Sequence, residues 1–343
     1  MLRIVVVAGG TGGHVFPAEC IARQLAQDGY DVEFITDQRG LKFIKSSEIK
    51  ITVQKIYSTS RFRLMCGVLK NLCINIYKFI KNRPVCVIGF GGYPSFAPVA
   101  VAQILGIKTI IHEQNAIIGR ANALLAFNAK AILVAFRNTA GVFRLNPNKI
   151  KYVGNPTRFD SIYASAKRPN NSIFTILIFG GSQGATLFAN VVAPAICKVG
   201  NVRVFHQARC ADIETISNMY KHAGIEATVL PFFDNMSELY QKSDLVISRS
   251  GASTVFEIIG FRIPAILIPF SHSVNGDQVA NAKALGNGVI VLDENNLSVD
   301  IVADTVRELI NNPDKLAELS QNLPVPHIVK NDFIDAINYV VSR

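Results

Sequence analysis

At 343 residues the chain is long enough for two domains of ordinary size, each with its own core. Its net charge of +10 is unevenly placed: residues 1–160 hold 21 Lys or Arg against 8 Asp or Glu, and residues 161–343 hold 14 against 17. A basic first half suits nucleic acid, an anionic membrane or a phosphorylated substrate, and the absence of any recognisable nucleic-acid module disfavours the first of these.

The six cysteines, at 20, 66, 73, 86, 197 and 210, form no CxxC or CxxxC pair and have no zinc-type spacing. They read as buried thiols of a reducing compartment. MLRIVVVAGG enters an apolar strand at once, without the regions of a secretory leader, so a cytosolic protein is expected. The uncharged run from Pro84 to Ile107 is interrupted by three prolines and four glycines. It reads as strand, loop and short helix rather than a membrane span.

In chain order, Ile4–Ala8 is an apolar strand that runs into GGTGG and then an amphipathic helix to Leu25. Glycines 9, 10, 12 and 13 let backbone approach a ligand, and a helix start favours anionic groups. His14 stands at the mouth of this turn. GxGxxG is not matched, which weakens a dinucleotide site, although Asp37 after the second strand has the position of a ribose ligand. Further strands are expected at Val32–Thr36, Ile51–Lys55, Val85–Gly89, Thr109–His112, Ala131–Val134 and Lys151–Val153. Strands alternating with helices imply a doubly wound parallel sheet, whose ligands bind at the carboxyl ends of the strands. GGTGGH, GFGGYPS (Gly89–Ser95) and HEQN (His112–Asn115) all fall there.

GNPTR (Gly154–Arg158) and RPNNS (Arg168–Ser172) have linker composition, and a second alternation begins at Ile173. It opens with FTILIFGGSQGA, an architectural echo of the first strand and turn, and continues through HQA (His206–Ala208), ATVLPFFDNM, LVISRSGASTVFE, PAILIPF and VIVLD. Phe333, Ile334, Ile337 and Val340 recur at helical spacing beyond Pro324 and Pro326, so a terminal helix packs apart from its predecessor. In this half Ser182, the Gly181–Gly184 amides and RSGAST (Arg249–Thr254) suit phosphate oxygens at helix starts. Glu257, one helical turn after Ser253, is placed to accept both hydroxyls of a ribose.

Taken in order and at these intervals, GGTGGH, GGYPS, HEQN, GNPTR, GGSQG, RSGASTVFE and DQVANA resemble the MurG family of UDP-N-acetylglucosamine transferases, which convert lipid I to lipid II. The resemblance implies a GT-B fold: two Rossmann-like domains facing across a cleft. The N-terminal domain, 1–157, is joined by a returning terminal helix at 328–343 and faces acceptor and membrane; the donor domain is 158–327. It implies donor contacts from Thr11, Gly12, Gly13, Asn115, Arg158 and Ser182, from Ala252, Ser253, Thr254, Val255, Phe256 and Glu257, from the backbone of Phe233 beside uracil, and from Gln278, a role Asp277 shares or replaces. Gly91, Gly92, Tyr93 and Ser95 are implied near the acceptor.

The implied reaction is inverting attack by the muramyl 4-hydroxyl on the anomeric carbon of UDP-N-acetylglucosamine. Such a displacement needs a base and a stabilised leaving group. His14 and Glu113 are the candidate bases; His14 is favoured because imidazole titrates near neutrality unaided, whereas basic surroundings oppose the raised pKa that Glu113 would need. No DxD-type pair is present, so neither a metal nor a cofactor is expected. A UDP-sugar 2-epimerase and a non-catalytic nucleotide-sugar-binding subunit are the alternatives. The RFRLM corner, with Phe62, Leu64 and Met65 beside Arg61 and Arg63, reads as a loop ahead of an amphipathic helix and as an anchor to an anionic membrane surface. A peripheral protein on the cytoplasmic face of the plasma membrane is the resulting expectation.

Overall fold

Apolar strands need cover on both faces, and the arrangement of the chain supplies it. The computed structural model describes residues 1–44, 49–55, 61–159, 172–180, 186–325 and 329–342, with the backbone alone at 61–66, 68, 274, 329 and 330. Two units result, Met1–Asp160 together with His327–Arg343, and Ser161–Pro326.

In the first unit the elements run β1 (Arg3–Val7), α1 (Gly12–Gln27), β2 (Asp31–Thr36), α2 (Gln38–Leu41), β3 (Lys50–Val53), α3 (Arg61–Lys81), β4 (Cys86–Gly89), α4 (Phe96–Ile104), β5 (Lys108–Glu113), α5 (Arg120–Ala126), β6 (Ala131–Val134) and β7 (Ile150–Tyr152). The strands form one parallel sheet in the order β3-β2-β1-β4-β5-β6-β7. The chain winds outward from β1 to β3, then crosses to β4 on the other side. Register pairs Val7 with Gly89, so the turns after β1 and β4 leave the sheet side by side. That is the crevice where doubly wound sheets bind ligands.

Helix α1 shows why its sequence pattern packs: Val15, Ala18, Ile21, Ala22 and Leu25 recur on one face and are all buried against β1 and its neighbours. Glycines 12 and 13 belong to the first turn of this helix rather than to the loop before it. RFRLM likewise lies inside α3, not in a preceding loop; the helical period of the segment extends through it, and its side chains are outside the description. Glu33 is buried on β2 among Arg3, Thr52 and Lys78, tying β1, β2, β3 and α3 together. Burial raises its pKa, but hydrogen bonds from Thr52, Lys78 and Arg3 outweigh this and bring it to about 2.

The second unit repeats the plan with β8 (Thr175–Phe179), a π-helical turn at Phe188–Val192 leading into α6 (Ala193–Val199), β9 (Arg203–Gln207), α7 (Ile213–His222), β10 (Glu226–Leu230), α8 (Met236–Lys242), β11 (Leu245–Ser248), α9 (Ala252–Phe261), β12 (Ala265–Leu267), α10 (Asp277–Lys283), β13 (Ile290–Val291), α11 (Val299–Asn311) and α12 (Pro313–Asn322). Its parallel order is β10-β9-β8-β11-β12-β13, with the switch point between β8 and β11. Phe179 pairs with Ser248, which puts Gly180 beside the turn that starts α9.

The final helix, α13 (Val329–Ser342), belongs to the first unit. Phe333, Ala336, Ile337 and Val340 are buried in the same core as α1 and β1. Phe333 stacks on Phe90 at 5.6 Å, and His112 meets both rings edge-on. The Tyr30 hydroxyl donates to Asn338 Oδ1 at 2.8 Å, and Lys108 Nζ donates to the Val341 carbonyl at 3.1 Å. Burial of the cysteines is uneven: Cys86 is buried, Cys20 and Cys197 are half-buried, and Cys73 and Cys210 are exposed, because the last two face outward on helical turns.

Candidate active site

At the switch point of the first unit, two glycine turns meet backbone to backbone. A Cβ on Gly9 would lie 2.5 Å from the Pro94 ring, and one on Gly92, at φ +73°, would lie 2.7 Å from the Gly9 carbonyl oxygen. Gly9 and Gly92 therefore serve the contact between the turns as well as any ligand. Asp37 is engaged in the same scaffold: its Oδ1 accepts the N–H of Gly10 and of Gly40, both at 2.9 Å, and its Oδ2 accepts Arg39 Nε at 3.1 Å. It braces the GGTGG turn and caps α2 instead of standing ready for a ribose, which removes the support for a dinucleotide site. Ser95, buried, donates to the Gly92 carbonyl at 2.9 Å and closes the GGYPS turn, whereas Tyr93 is exposed.

His14 lies half-buried in the first turn of α1, with Nδ1 3.4 Å from Thr11 Oγ1. A Cβ on Gly91 would come within 3.2 Å of the His14 ring and 3.0 Å of Asn122 Nδ2, so the absence of a side chain there keeps the ring uncovered. Burial lowers the imidazole pKa to about 4. Glu113, at the end of β5, is buried and accepts four hydrogen bonds: Asn115 N–H at 3.0 Å and Nδ2 at 3.2 Å on Oε1, Gly119 N–H at 2.9 Å and Asn122 Nδ2 at 2.8 Å on Oε2. Desolvation raises its pKa, opposed by those same hydrogen bonds. Burial thus overturns the expectation for both groups: the histidine is pushed down from neutrality, and the carboxyl is pushed up although its own hydrogen bonds oppose the rise. Every one of those four groups donates to Glu113, a geometry that organises the loop from Asn115 to Asn122.

His112 Nε2 donates to the Gly154 carbonyl at 3.0 Å, which makes that nitrogen the protonated one, and its Nδ1 accepts from Gln114 Nε2 at 3.0 Å. The GNPTR segment is thereby fixed to β5. Arg158 lies with its guanidinium over the Phe16 ring at 4.1 Å and near Phe159 at 5.2 Å. Neither side-chain polar atom of the buried Asn155 has a partner among the described residues.

In the second unit, Gly251 precedes α9, whose first residues are Ala252, Ser253 and Thr254. Ser253 Oγ is buried without a partner among the described residues. Glu257 is buried and its Oε2 accepts the Tyr240 hydroxyl at 2.8 Å; Tyr240 itself is fixed by stacking on Phe261 at 4.9 Å and by an edge contact with Phe179 at 6.1 Å. Val255 points into the core and Phe256 is half-buried. The Phe233 ring is buried against Phe205, which leaves backbone as the part of this residue suited to a base. Gln278 Oε1 accepts the Phe270 N–H at 2.9 Å, and Asp277 Oδ1 accepts the Gln278 N–H at 2.7 Å. Tyr240 and Glu294 lie outside every sequence motif, yet Tyr240 holds Glu257, and Glu294 pairs with Arg249 of RSGAST at 2.6 Å. Ser182 and Gly181–Gly184 lie outside the described residues. No group of three or more His, Cys, Asp or Glu able to hold a metal ion occurs among the described residues.

Two parallel doubly wound units, the first with paired glycine turns at its switch point, are the architecture of the GT-B class of sugar-nucleotide enzymes. Residues 4–134 match the glycosyltransferase family 28 N-terminal domain, and residues 175–335 its C-terminal domain. A Rickettsia felis relative, UDP-N-acetylglucosamine--N-acetylmuramyl-(pentapeptide) pyrophosphoryl-undecaprenol N-acetylglucosamine transferase, is 37% identical over 361 residues, covering 98% of this chain and 100% of the relative. The crystal structure of Acinetobacter baumannii MurG superposes with a TM-score of 0.83 at 28% identity, covering 99% of this chain and all of that one. The chain belongs to the MurG family. A Neisseria meningitidis UDP-GlcNAc 2-epimerase shares the fold, with a TM-score of 0.71 at 12% identity, covering 98% of this chain and 100% of the epimerase.

Proposed function

We infer that the protein is the glycosyltransferase that moves N-acetylglucosamine from UDP-N-acetylglucosamine to the muramyl 4-hydroxyl of lipid I, giving lipid II. The observation that carries the chemistry is His14: a half-buried imidazole at the first turn of α1, kept uncovered by Gly91. With its pKa near 4 it is neutral at physiological pH and has an acceptor nitrogen. In this reading the attacking hydroxyl gives its proton to His14 as its oxygen bonds to the anomeric carbon. The bond from that carbon to the diphosphate breaks, its electron pair leaves on UDP, and the configuration inverts. The substrate's own phosphates favour the imidazolium that forms.

Glu113 is a positioning residue that holds the Asn115–Asn122 loop. Glu257 accepts the ribose hydroxyls, Phe233 offers its backbone to uracil, and Gln278 meets the sugar. The α9 start, the segment around Ser182, Thr11–Gly13, Asn115 and Arg158 serve the donor, while the turn from Gly91 to Ser95 serves the acceptor. An anionic membrane surface on the cytoplasmic side is the further partner. In its support, α3 exposes Leu69, Tyr77 and Ile80 among Lys70 and Lys81, and among the described residues no helix is long and apolar enough to cross a membrane.

Purified protein with labelled UDP-N-acetylglucosamine tests the function. Label should move only when a lipid I analogue is added. Epimerised sugar nucleotide formed without acceptor would instead identify an epimerase.

A further inference from the structure

The segment that leaves β12 runs without regular secondary structure as far as Ser273. It turns at Phe270–Ser273 and again at Ser273–Gly276, where Asn275 and Gly276 follow one another at φ +57° and +68°. Asparagine and glycine are the residues that adopt this left-handed conformation most readily, and the segment they turn is also held from outside. The outside support is specific. Glu294 Oε2 accepts both the N–H of Ser271, at 2.8 Å, and its hydroxyl, at 3.1 Å. Glu294 Oε1 is paired with Arg249 Nη2 at 2.6 Å, and both side chains are largely buried. Arg249 Nη1 donates to the Ile268 carbonyl at 3.0 Å, and its guanidinium lies 5.3 Å from the Phe270 ring centre. A planar fork with two separate anchors resists rotation in a way that a lysine cannot match.

The far end of the segment is held by the same region of the fold. Phe270 N–H donates to Gln278 Oε1 at 2.9 Å, and Ser250 Oγ donates to the Gln278 carbonyl at 2.8 Å. Because the Gln278 amide oxygen faces an N–H, its NH₂ is the group available to an oxygen of a ligand. Arg249 immediately precedes Ser250 and Gly251, where α9 starts. One buried ion pair therefore joins the segment carrying Gln278 to the segment carrying Glu257.

We propose that the Arg249–Glu294 pair is a positioning device for donor specificity: it fixes Phe270–Gln278 in the conformation in which the Gln278 NH₂ donates to a hydroxyl of the transferred sugar, while UDP is held by α9 independently of it. This rests on the assignment of Gln278 to the sugar in the preceding reading.

The test compares UDP with UDP-N-acetylglucosamine in calorimetry, and UDP-N-acetylglucosamine with UDP-N-acetylgalactosamine as donors in turnover. The variants are Glu294→Gln, Arg249→Lys and Gln278→Ala. For Glu294→Gln and Arg249→Lys we expect UDP affinity within about twofold of the parent, which also reports an intact fold, together with a rise of about tenfold in KM for UDP-N-acetylglucosamine and a narrowed preference over the galacto sugar. Gln278→Ala should do the same. If Gln278→Ala leaves sugar affinity and preference unchanged, the assignment of Gln278 falls and the proposal with it. If Gln278→Ala has its effect but neither ion-pair variant alters KM or preference, the proposal alone is overturned. Equal weakening of UDP and UDP-sugar by the ion-pair variants also overturns it, since the pair would then be general scaffolding.

Discussion

Replacing Tyr240 by Phe removes one oxygen atom and leaves the aromatic stack on Phe261 in place. Its hydroxyl donates to Glu257 Oε2 at 2.8 Å in a buried setting, so the carboxylate loses a partner that both stabilises its charge and fixes its rotamer. Immobilising a side chain such as glutamate on binding costs about 0.5–1.5 kcal/mol, so Tyr240→Phe should raise the Kd for UDP by about 2–12-fold. Glu257→Gln removes a charged acceptor from the ribose hydroxyls, a loss of about 1.5–3 kcal/mol or roughly 12–160-fold in Kd. Tyr240 acts on the nucleotide only through Glu257 in this account. The double variant should therefore bind UDP about as Glu257→Gln does, with a coupling energy close to the whole Tyr240→Phe effect. Calorimetry with UDP on the four proteins measures it, and 2′-deoxy-UDP adds a second readout, because discrimination against the deoxy sugar should fall in both single variants. Additive losses, or a Tyr240→Phe variant that weakens UDP and 2′-deoxy-UDP alike, would refute the reasoning.

Turnover of His14→Ala should fall by about 100-fold or more while UDP still binds, and the acid limb of the wild-type kcat/KM profile should lie well below pH 6.5, since protonation that blocks base catalysis begins only near the pKa of about 4; a limb near 6.5 would exclude the buried imidazole as the base. Glu113→Gln, which aims an NH₂ at one of the N–H donors now facing the carboxylate, should lower the thermal unfolding midpoint; an unchanged midpoint would show that the loop does not depend on the charge. Glu33, with a folded pKa of about 2 against the ordinary 4.5, contributes about 3 kcal/mol that is fully present above pH 4.5 and is lost as pH falls toward 2. Urea unfolding between pH 6 and 2 should accordingly be less acid-sensitive in Glu33→Gln, and parallel profiles would contradict the assignment. Wild-type protein should sediment with anionic vesicles, less as salt rises, and the combined Leu69→Ser, Tyr77→Ser and Ile80→Ser variant should sediment less; equal sedimentation would place the membrane contact elsewhere.

Both doubly wound sheets were legible in the residues because a strand buried on two faces announces itself as an uncharged run. β4, β6, β8 and β11 are all of this kind, as is β1 beyond Arg3, within a residue or so of where periodicity puts them. The terminal helix was equally clear, from Phe333, Ile337 and Val340 on one face. The RFRLM segment reads as a loop in the sequence and is the start of α3 in the structure, since basic residues interleaved with apolar ones mask a helical period at its first turn.

The amino-acid order alone determined the two units, their glycine turns and the motifs that carry the family, because apolar period, turn residues and motif spacing are properties of neighbours along the chain. Only the tertiary structure decided what the polar groups among them do. Asp37 became a brace because Gly10 and Gly40 come within reach of one oxygen; Glu113 became a four-fold acceptor because Gly119 and Asn122 fold back over it; and Glu294, 45 residues after Arg249, became its partner. The pKa of Glu113 moved opposite to the charge pattern, and that of His14 fell away from neutrality, for the same reason: desolvation and hydrogen bonding depend on which distant groups share a volume, and that is set by packing.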